Sequence, residues 1–420
     1  MPQSSLIRAS ILSTVGVLVQ GVARFVYTVL VARFFGPEQL AVVNTLLSLS
    51  IIASLFWPTA AGNAAGTFLA RATARGVRPQ RVLALLWRSF FTAAGVLVLL
   101  AVPIAVLVVG TTPVEATMFA LLVVGWSGYI FTRGVRMGLG QVEGAAIWDV
   151  VSAAVTLALL ALVIAGGASP LILAPLAVGY LAFTVAAWLS TRHVKASDPE
   201  DTGTRPGEMW HLIGWNSAGL IATNGLIQFS MVFAFVASDA ADAGQYAAAI
   251  ALATPASMLA QAVSQVLIPR FATWLHEDVV VARRRYLQVL AAMTAILAVA
   301  FGAVALVAPW LVPLLYGPGY AEAVGLVEIL LAGVFLFSVG LIASSFLITS
   351  GRTVLSTWAG VAGLVTGLVV MVTAAPASGG AVAASLGVLV GCAVVAVVAV
   401  AASLPTPRAA AVAAADGTPD

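Results

Sequence analysis

Charged residues are scarce in this sequence, and their scarcity decides the class of protein before any motif is considered. Only 8% of the 420 residues are charged, whereas 61% are hydrophobic. A soluble domain usually carries about 25% charged residues. A soluble globule of this length could not cover its surface with so few charges. The composition therefore excludes a cytosolic enzyme, a disordered protein and a nucleic-acid-binding protein.

Cysteine and recognisable catalytic motifs are missing as well. The single cysteine, Cys392, lies in an apolar run, so neither a disulfide framework nor a thiolate metal site is available. There is no Walker A loop, no HExxH and no Gly-x-Ser-x-Gly motif, so we expect no enzyme, no metal and no cofactor. A membrane glycosyltransferase or polymerase would need a sizeable outer loop with catalytic residues, and the predicted outer turns are only a few residues long.

Long apolar runs make up most of the chain, and they predict an all-helical polytopic membrane protein. A helix satisfies its own backbone hydrogen bonds in lipid, and about 20 apolar residues cross the hydrocarbon core. Breaks at Gly, Pro and charged residues divide the chain into twelve predicted spans. These spans are 6–34, 38–70, 82–109, 114–138, 145–166, 170–191, 209–237, 244–269, 286–316, 321–349, 353–374 and 379–403.

Basic residues are concentrated on one side of this arrangement. With the N-terminus in the cytoplasm, 17 of the 19 Lys and Arg residues fall in cytoplasmic segments or at the inner ends of spans. Only Arg33 falls on the outer side, and Arg24 lies within the first span. This positive-inside bias predicts that both termini are cytoplasmic. The strong preference for Arg over Lys is typical of a GC-rich bacterial genome, so we expect a bacterial plasma membrane protein.

The two halves of the sequence resemble each other. Pro103 and Pro309 lie late in the third and ninth spans, and Gly140 and Gly351 precede the fifth and eleventh. These offsets of 206 and 211 residues favour an internal repeat over chance similarity. Six spans per repeat give both repeats the same orientation, which predicts a pseudo-two-fold axis along the membrane normal and a central cleft. The predicted domains are an N-terminal six-helix lobe at 1–191, a cytoplasmic linker at 192–208, a C-terminal six-helix lobe at 209–404 and a disordered tail at 405–420.

Short motifs resemble those of a transporter family. The run Val31–Glu38 before an apolar helix, and Ile268–Ala272 followed by Arg283–Tyr286, are similar to segments of polysaccharide-biosynthesis flippases. These flippases form the Wzx-like branch of the multidrug/oligosaccharidyl-lipid/polysaccharide (MOP) exporter superfamily. The resemblance implies two six-helix lobes around a cationic cavity. It also implies transfer of a polyprenyl-diphosphate-linked glycan to the outer leaflet, with membrane lipids and polysaccharide polymerase or assembly proteins as further partners.

Arg24 is the most conspicuous candidate binding residue. It lies nine residues inward of Arg33, roughly 14 Å along a helix, where a charge is expected to face a cavity. Gln20 and Tyr27 share its helical face. We predict that Arg24 binds the diphosphate, because a guanidinium can hold two phosphate oxygens; a structural ion pair is the alternative. Spans seven and eight carry side-chain amides that suit sugar hydroxyls or interhelical hydrogen bonds equally well. These amides belong to Asn224, Gln228, Gln261 and Gln265.

Two intramembrane acids and three cations complete the candidate residues. Asp149 and Glu328 are candidates for binding a coupling ion or relaying a proton, and either could equally be an interfacial charge or the counter-ion of Arg24. Arg133, Arg136 and Arg270 are candidates for attracting the diphosphate at the inner mouth. The first alternative function is a MATE-like exporter of small drugs, for which a carboxylate-lined cavity is expected. The second is a non-transporting membrane scaffold, which would not need these polar stripes.

Overall fold

The chain is helical throughout the part that its computed structural model describes. That part comprises residues 3–74, 80–191 and 206–404, and it contains no strand. The predicted all-helical fold class is confirmed. Two short 3-10 turns, Ser169–Leu171 and Pro318–Tyr320, lie between longer helices. The helices are α1 Gln3–Phe56, α2 Pro58–Ala74, α3 Gln80–Val109, α4 Pro113–Gly138, α5 Val142–Ala165, α6 Ala174–Thr191, α7 Pro206–Ala237, α8 Ala240–Glu277, α9 Val279–Tyr316, α10 Ala323–Thr349, α11 Thr353–Ser378 and α12 Gly380–Ser403.

Within these described residues, ten helical segments are long and apolar enough to cross a membrane, two fewer than the twelve predicted spans. The predicted first span and part of the second form one continuous segment, Leu12–Phe56, and α8 is not among the ten. The chain is nevertheless a multi-pass membrane protein, as predicted. The helices α3 and α4 reproduce the predicted spans 82–109 and 114–138 closely. Thr112 caps α4: its hydroxyl accepts a hydrogen bond from the backbone N–H of Glu115, and the Glu115 carboxylate accepts one from the backbone N–H of Thr112. The predicted eighth span, 244–269, lies within α8. The cytoplasmic placement of both termini stays a prediction.

The helix α1 contains the whole first predicted span and part of the second. Gly36 separates them, with φ 81° and ψ 179°, a conformation that residues with a Cβ rarely adopt. Pro37 then starts the second stretch of helix, where a missing backbone N–H costs nothing. The predicted second span, 38–70, is interrupted at Trp57, because Pro58 begins a separate helix and has no N–H to continue the first.

The chain forms two compact units, residues 1–248 and 249–420. In the first unit, α4 packs against α2 and α6, and α1 packs against α5 and α7. In the second unit, α12 packs against α10 and α11. The predicted lobe boundary at 192–208 stays a prediction, since residues 192–205 lie outside the described part of the chain, as does the predicted tail.

The turns at Gly140 and Gly351, which the predicted repeat places in corresponding positions, close with the same backbone hydrogen bonds. Gly140 follows α4 with φ 72°, and Gly351 follows α10 with φ 76°. In each turn three successive N–H groups donate to carbonyls of the preceding helical turn with identical spacing. The donors are Leu139, Gly140 and Gln141 in the first unit, and Ser350, Gly351 and Arg352 in the second. The turn at Gly167 after α5 closes in the same way, so the pattern is a common helix ending and the internal repeat stays a prediction.

Candidate functional site

A cluster of polar and aromatic side chains lies inside the first unit, where α1, α4, α5 and α6 meet. Its centre is the fully buried carboxylate of Asp149 on α5. The Tyr129 hydroxyl donates to Oδ1 of Asp149 at 2.9 Å, and Arg133 Nε donates to Oδ2 at 3.3 Å. A charge in a low-dielectric interior is tolerated only with such partners. Both carboxylate oxygens are therefore held in place by α4.

The helix α1 is tied to the same carboxylate. Arg133 Nη2 donates to the Ser13 carbonyl at 2.9 Å and to its hydroxyl at 3.2 Å. Gln20 Nε2 donates to the backbone carbonyl of Asp149 at 2.7 Å. Gly16 packs so closely against Asp149 Oδ2 that a Cβ at this position would overlap the carboxylate. Three helices thus converge on one acidic group.

Arg24 lies on α1 in a different environment. Its guanidinium carbon is 5.8 Å from the centre of the Trp126 ring, within the range of a cation–π interaction. Trp126 in turn packs against Tyr180, with ring centres 5.1 Å apart. No carboxylate of the described residues lies within ion-pair distance of Arg24. The structure pairs Asp149 with Arg133, and not with Arg24.

Arg136 adds a third guanidinium to this interior. It is 4% exposed, stacks on Phe183 at 5.6 Å, and its Nε has no hydrogen-bond partner among the described residues. Asp149 is the only carboxylate among the described buried residues. The interior of the first unit therefore has an excess of positive charge. Of the three predicted inner-mouth cations, Arg133 and Arg136 belong to this interior, while Arg270 is exposed on α8 in the second unit.

Tyr27 occupies a packing position in this conformation. Its side chain is fully buried, and its hydroxyl donates to the Ile172 carbonyl at 2.5 Å. This bond fixes α1 to the segment that leads into α6. The predicted contact between Tyr27 and a substrate stays a prediction, although its hydroxyl already has an acceptor here.

We expect Tyr27→Phe to lower the free energy of unfolding by about 1 kcal/mol, because a buried hydrogen bond is lost without any change in shape. Denaturation in mixed SDS micelles, followed by tryptophan fluorescence, measures this change. Tyr316→Phe is the matched control, since the Tyr316 hydroxyl is buried without a partner among the described residues. Removing it is expected to be neutral or stabilising. Equal losses in both variants would show that the Ile172 bond contributes nothing specific.

The other predicted binding residues lie on α7, α8 and α10, outside this cluster. Asn224 is partly buried and donates to the Thr223 hydroxyl at 2.9 Å. Gln228 is partly buried on the same helix. Glu328 is exposed on α10 in the second unit. Gln261 and Gln265 belong to α8, but their side chains lie outside the described part. The roles of all these residues stay predictions.

The aromatic part of the cluster was not predicted from the sequence. Trp126 and Tyr129 precede Arg133 on α4 by seven and four residues, which places all three on one face of the helix. That spacing in the sequence could have indicated that these aromatic residues lie beside Arg133. Nothing local to α6 indicates that Tyr180 would join them.

Comparison with known proteins supports the fold and goes no further. The sequence matches no protein-family model, and no curated protein matches it. Among solved structures, it is similar to an inward-facing multidrug resistance MATE family transporter of the MOP superfamily. The two share 16% identity over 97% of this chain and 96% of that chain, with a TM-score of 0.72.

Two further structures show the same similarity. A eukaryotic MATE transporter is 13% identical over 98% of this chain and 99% of its own, with a TM-score of 0.69. A MOP superfamily transporter from Pyrococcus furiosus is 15% identical over 96% of this chain and 95% of its own, with a TM-score of 0.63. That protein is described as having a binding pocket of reverse polarity that suggests a different function. The chain therefore has the fold of MATE transporters of the MOP superfamily, as the sequence predicted.

Proposed function

We propose that this chain is an alternating-access exporter whose cargo is an anionic amphiphile. The fold supports a transport function, since the similar structures are MATE transporters. The observation that supports an anionic cargo is Arg24, a cation inside the first unit with an aromatic partner and no described carboxylate partner. A guanidinium in this position offers several donors to a phosphate.

A polyprenyl-diphosphate-linked oligosaccharide is the cargo we favour within this class. Its diphosphate supplies the negative charge that Arg24 lacks nearby. Gln20 lies one helical turn before Arg24, on the same side of α1. The motif resemblance to polysaccharide-biosynthesis flippases supports the same substrate. Amides on α7, at Asn224 and Gln228, would then be available to sugar hydroxyls.

A multidrug exporter coupled through Asp149 is the second candidate function. Its specific support is the similarity to a multidrug resistance MATE transporter. A buried intramembrane carboxylate is suited to taking up a proton or a cation. In the described conformation, however, Arg133 already neutralises Asp149. A cationic drug would therefore meet net positive charge in this interior, which disfavours this candidate on electrostatic grounds.

Reconstituted transport separates the two candidates. In proteoliposomes, we expect the wild type to translocate a fluorescent polyprenyl-diphosphate disaccharide, and Arg24→Gln to reduce the rate at least tenfold, a loss of about 1.4 kcal/mol or more. Arg33→Gln is the control, because Arg33 is exposed on the same helix. Efflux of ethidium without movement of the glycan lipid would overturn the flippase proposal and favour the multidrug candidate.

A further inference from the structure

An apolar groove lies on the first unit, between the second stretch of α1, the helix α3 and the start of α7. Its volume is about 770 Å³, in the range of small-molecule sites. Small side chains line it at Ala53, Ala93 and Ala101, and two of these are buried, with Ala53 6% and Ala101 8% exposed. Larger side chains such as Phe56 and Leu100 lie beside them and are exposed by more than half. The groove is therefore open at the surface of the first unit.

The lining of the groove suits a hydrocarbon chain. Along α3 it extends from Ser89 to Ile104, about 22 Å at the rise of an α-helix. None of its lining residues in the described part of the chain is charged. The hydroxyls of Ser89 and Thr92, which line it, donate to backbone carbonyls of α3 itself. A polar ligand would therefore find few partners along this length.

A cation lies at one end of the groove. Arg88 is exposed and immediately precedes Ser89, on the same helical face as Thr92 and Val96. Arg81 lies seven residues earlier on that face and is also exposed. No carboxylate in the described part of the chain is within ion-pair distance of either. From Ser89 to Val109 the helix rises about 30 Å, the thickness of the hydrocarbon core, so a span that ends at Val109 would place Arg88 at the level of the lipid phosphates.

We propose that this groove binds one anionic phospholipid, with its phosphate at Arg88 and an acyl chain along α3 towards Ile104. The excess positive charge at one end selects an anionic headgroup, and the apolar lining accepts the chain. This site is separate from the proposed substrate site, and it does not depend on the proposed function.

One contact connects the groove with the polar cluster. Ala53 lines the groove, and the adjacent Ser54 accepts a hydrogen bond from Trp126 Nε1 at 3.2 Å. Trp126 is the ring beneath Arg24. A bound lipid would therefore pack against the same helical segment that positions the aromatic partner of Arg24.

Native mass spectrometry with defined lipids tests the assignment. We expect the wild-type protein to retain one phosphatidylglycerol more tightly than phosphatidylcholine. Arg88→Gln is expected to weaken phosphatidylglycerol binding at least tenfold and to leave phosphatidylcholine unchanged. Leu97→Trp, which fills the groove, is expected to weaken both. Leu99→Trp is the matched control, because Leu99 is 74% exposed and does not line the groove.

The outcomes that overturn the proposal are equally specific. Unchanged phosphatidylglycerol retention in both Arg88→Gln and Leu97→Trp would place the lipid elsewhere. Displacement of bound phosphatidylglycerol by equimolar polyprenyl phosphate would assign the groove to an isoprenoid chain. If Leu97→Trp fails to fold, Ala101→Leu provides the same test. Binding is measured without transport, so a failed flippase assay leaves this result unaffected.

Discussion

Asp149→Ala is expected to lower the free energy of unfolding by about 3–5 kcal/mol, which is the usual cost of removing one partner of a buried ion pair. The change leaves Arg133 without its carboxylate and removes the acceptor of the Tyr129 hydroxyl. Arg136 also loses the only negative charge among the described buried residues. Because Arg133 is 18% exposed, water relieves part of this cost, and we expect the lower half of the range.

A double-mutant cycle isolates the pair. Arg133→Met in the Asp149→Ala background is expected to recover part of the lost stability, because the uncompensated cation is removed. Glu208→Ala is the matched control, since Glu208 and Arg71 form an ion pair at 3.5 Å whose side chains are about half exposed, 55% and 51%. That pair is expected to contribute little. Additive effects at positions 133 and 149 would show that their contact does not stabilise the fold.

Gly134→Ala is expected to lower the free energy of unfolding by about 3 kcal/mol, through overpacking between α4 and α2. A Cβ at Gly134 would overlap the backbone of Gly62, including its carbonyl oxygen. Backbone atoms cannot rotate away as the end of a side chain can. Close approach at glycines is a common way for membrane helices to pack. The helices would have to separate, and the neighbouring contact of Gly138 with α2 would loosen as well.

Gly95→Ala is the control for the intrinsic effect of the substitution. Gly95 lies within α3, and apart from its own stretch of helix no atom of the described residues lies within 4 Å of a Cβ built there. Alanine favours the helix by up to about 1 kcal/mol relative to glycine, so this variant should be neutral or slightly stabilised. SDS denaturation of the two variants side by side measures the difference. If Gly134→Ala behaves like Gly95→Ala, the packing of α2 on α4 is looser than the structure indicates.

The helices could be predicted from the sequence because apolar length and turn residues are local signals. Gly36, Gly140 and Gly351 lie at predicted breaks between spans, and all three have positive φ angles in the structure. The interruption at Trp57 was missed, because a long apolar run outweighed Pro58 as evidence. A proline within such a run lacks a donor whatever the hydropathy of its neighbours.

The site was predicted less completely, because its contacts join distant parts of the chain. Arg24 could be identified as a candidate binding residue from its predicted depth within the first span alone. The pairing of Asp149 with Arg133 was missed, because the role of Arg133 was inferred from its predicted side of the membrane and not from the residues expected near it. Yet Arg133 lies seven residues before Gly140 and Asp149 nine residues after it, so a hairpin folded at Gly140 brings them to nearly the same depth. The contribution of Tyr180 from α6 required tertiary packing.

The turn at Gly140 has a consequence for how the protein is made. It joins α4 and α5 so closely that neither helix can enter the bilayer far from the other. Arg133 and Asp149 lie on opposite arms of this hairpin. Each charge alone would oppose insertion at its depth. When the hairpin leaves the ribosome and inserts as a unit, the two charges can neutralise each other during insertion, before the remaining helices are synthesised.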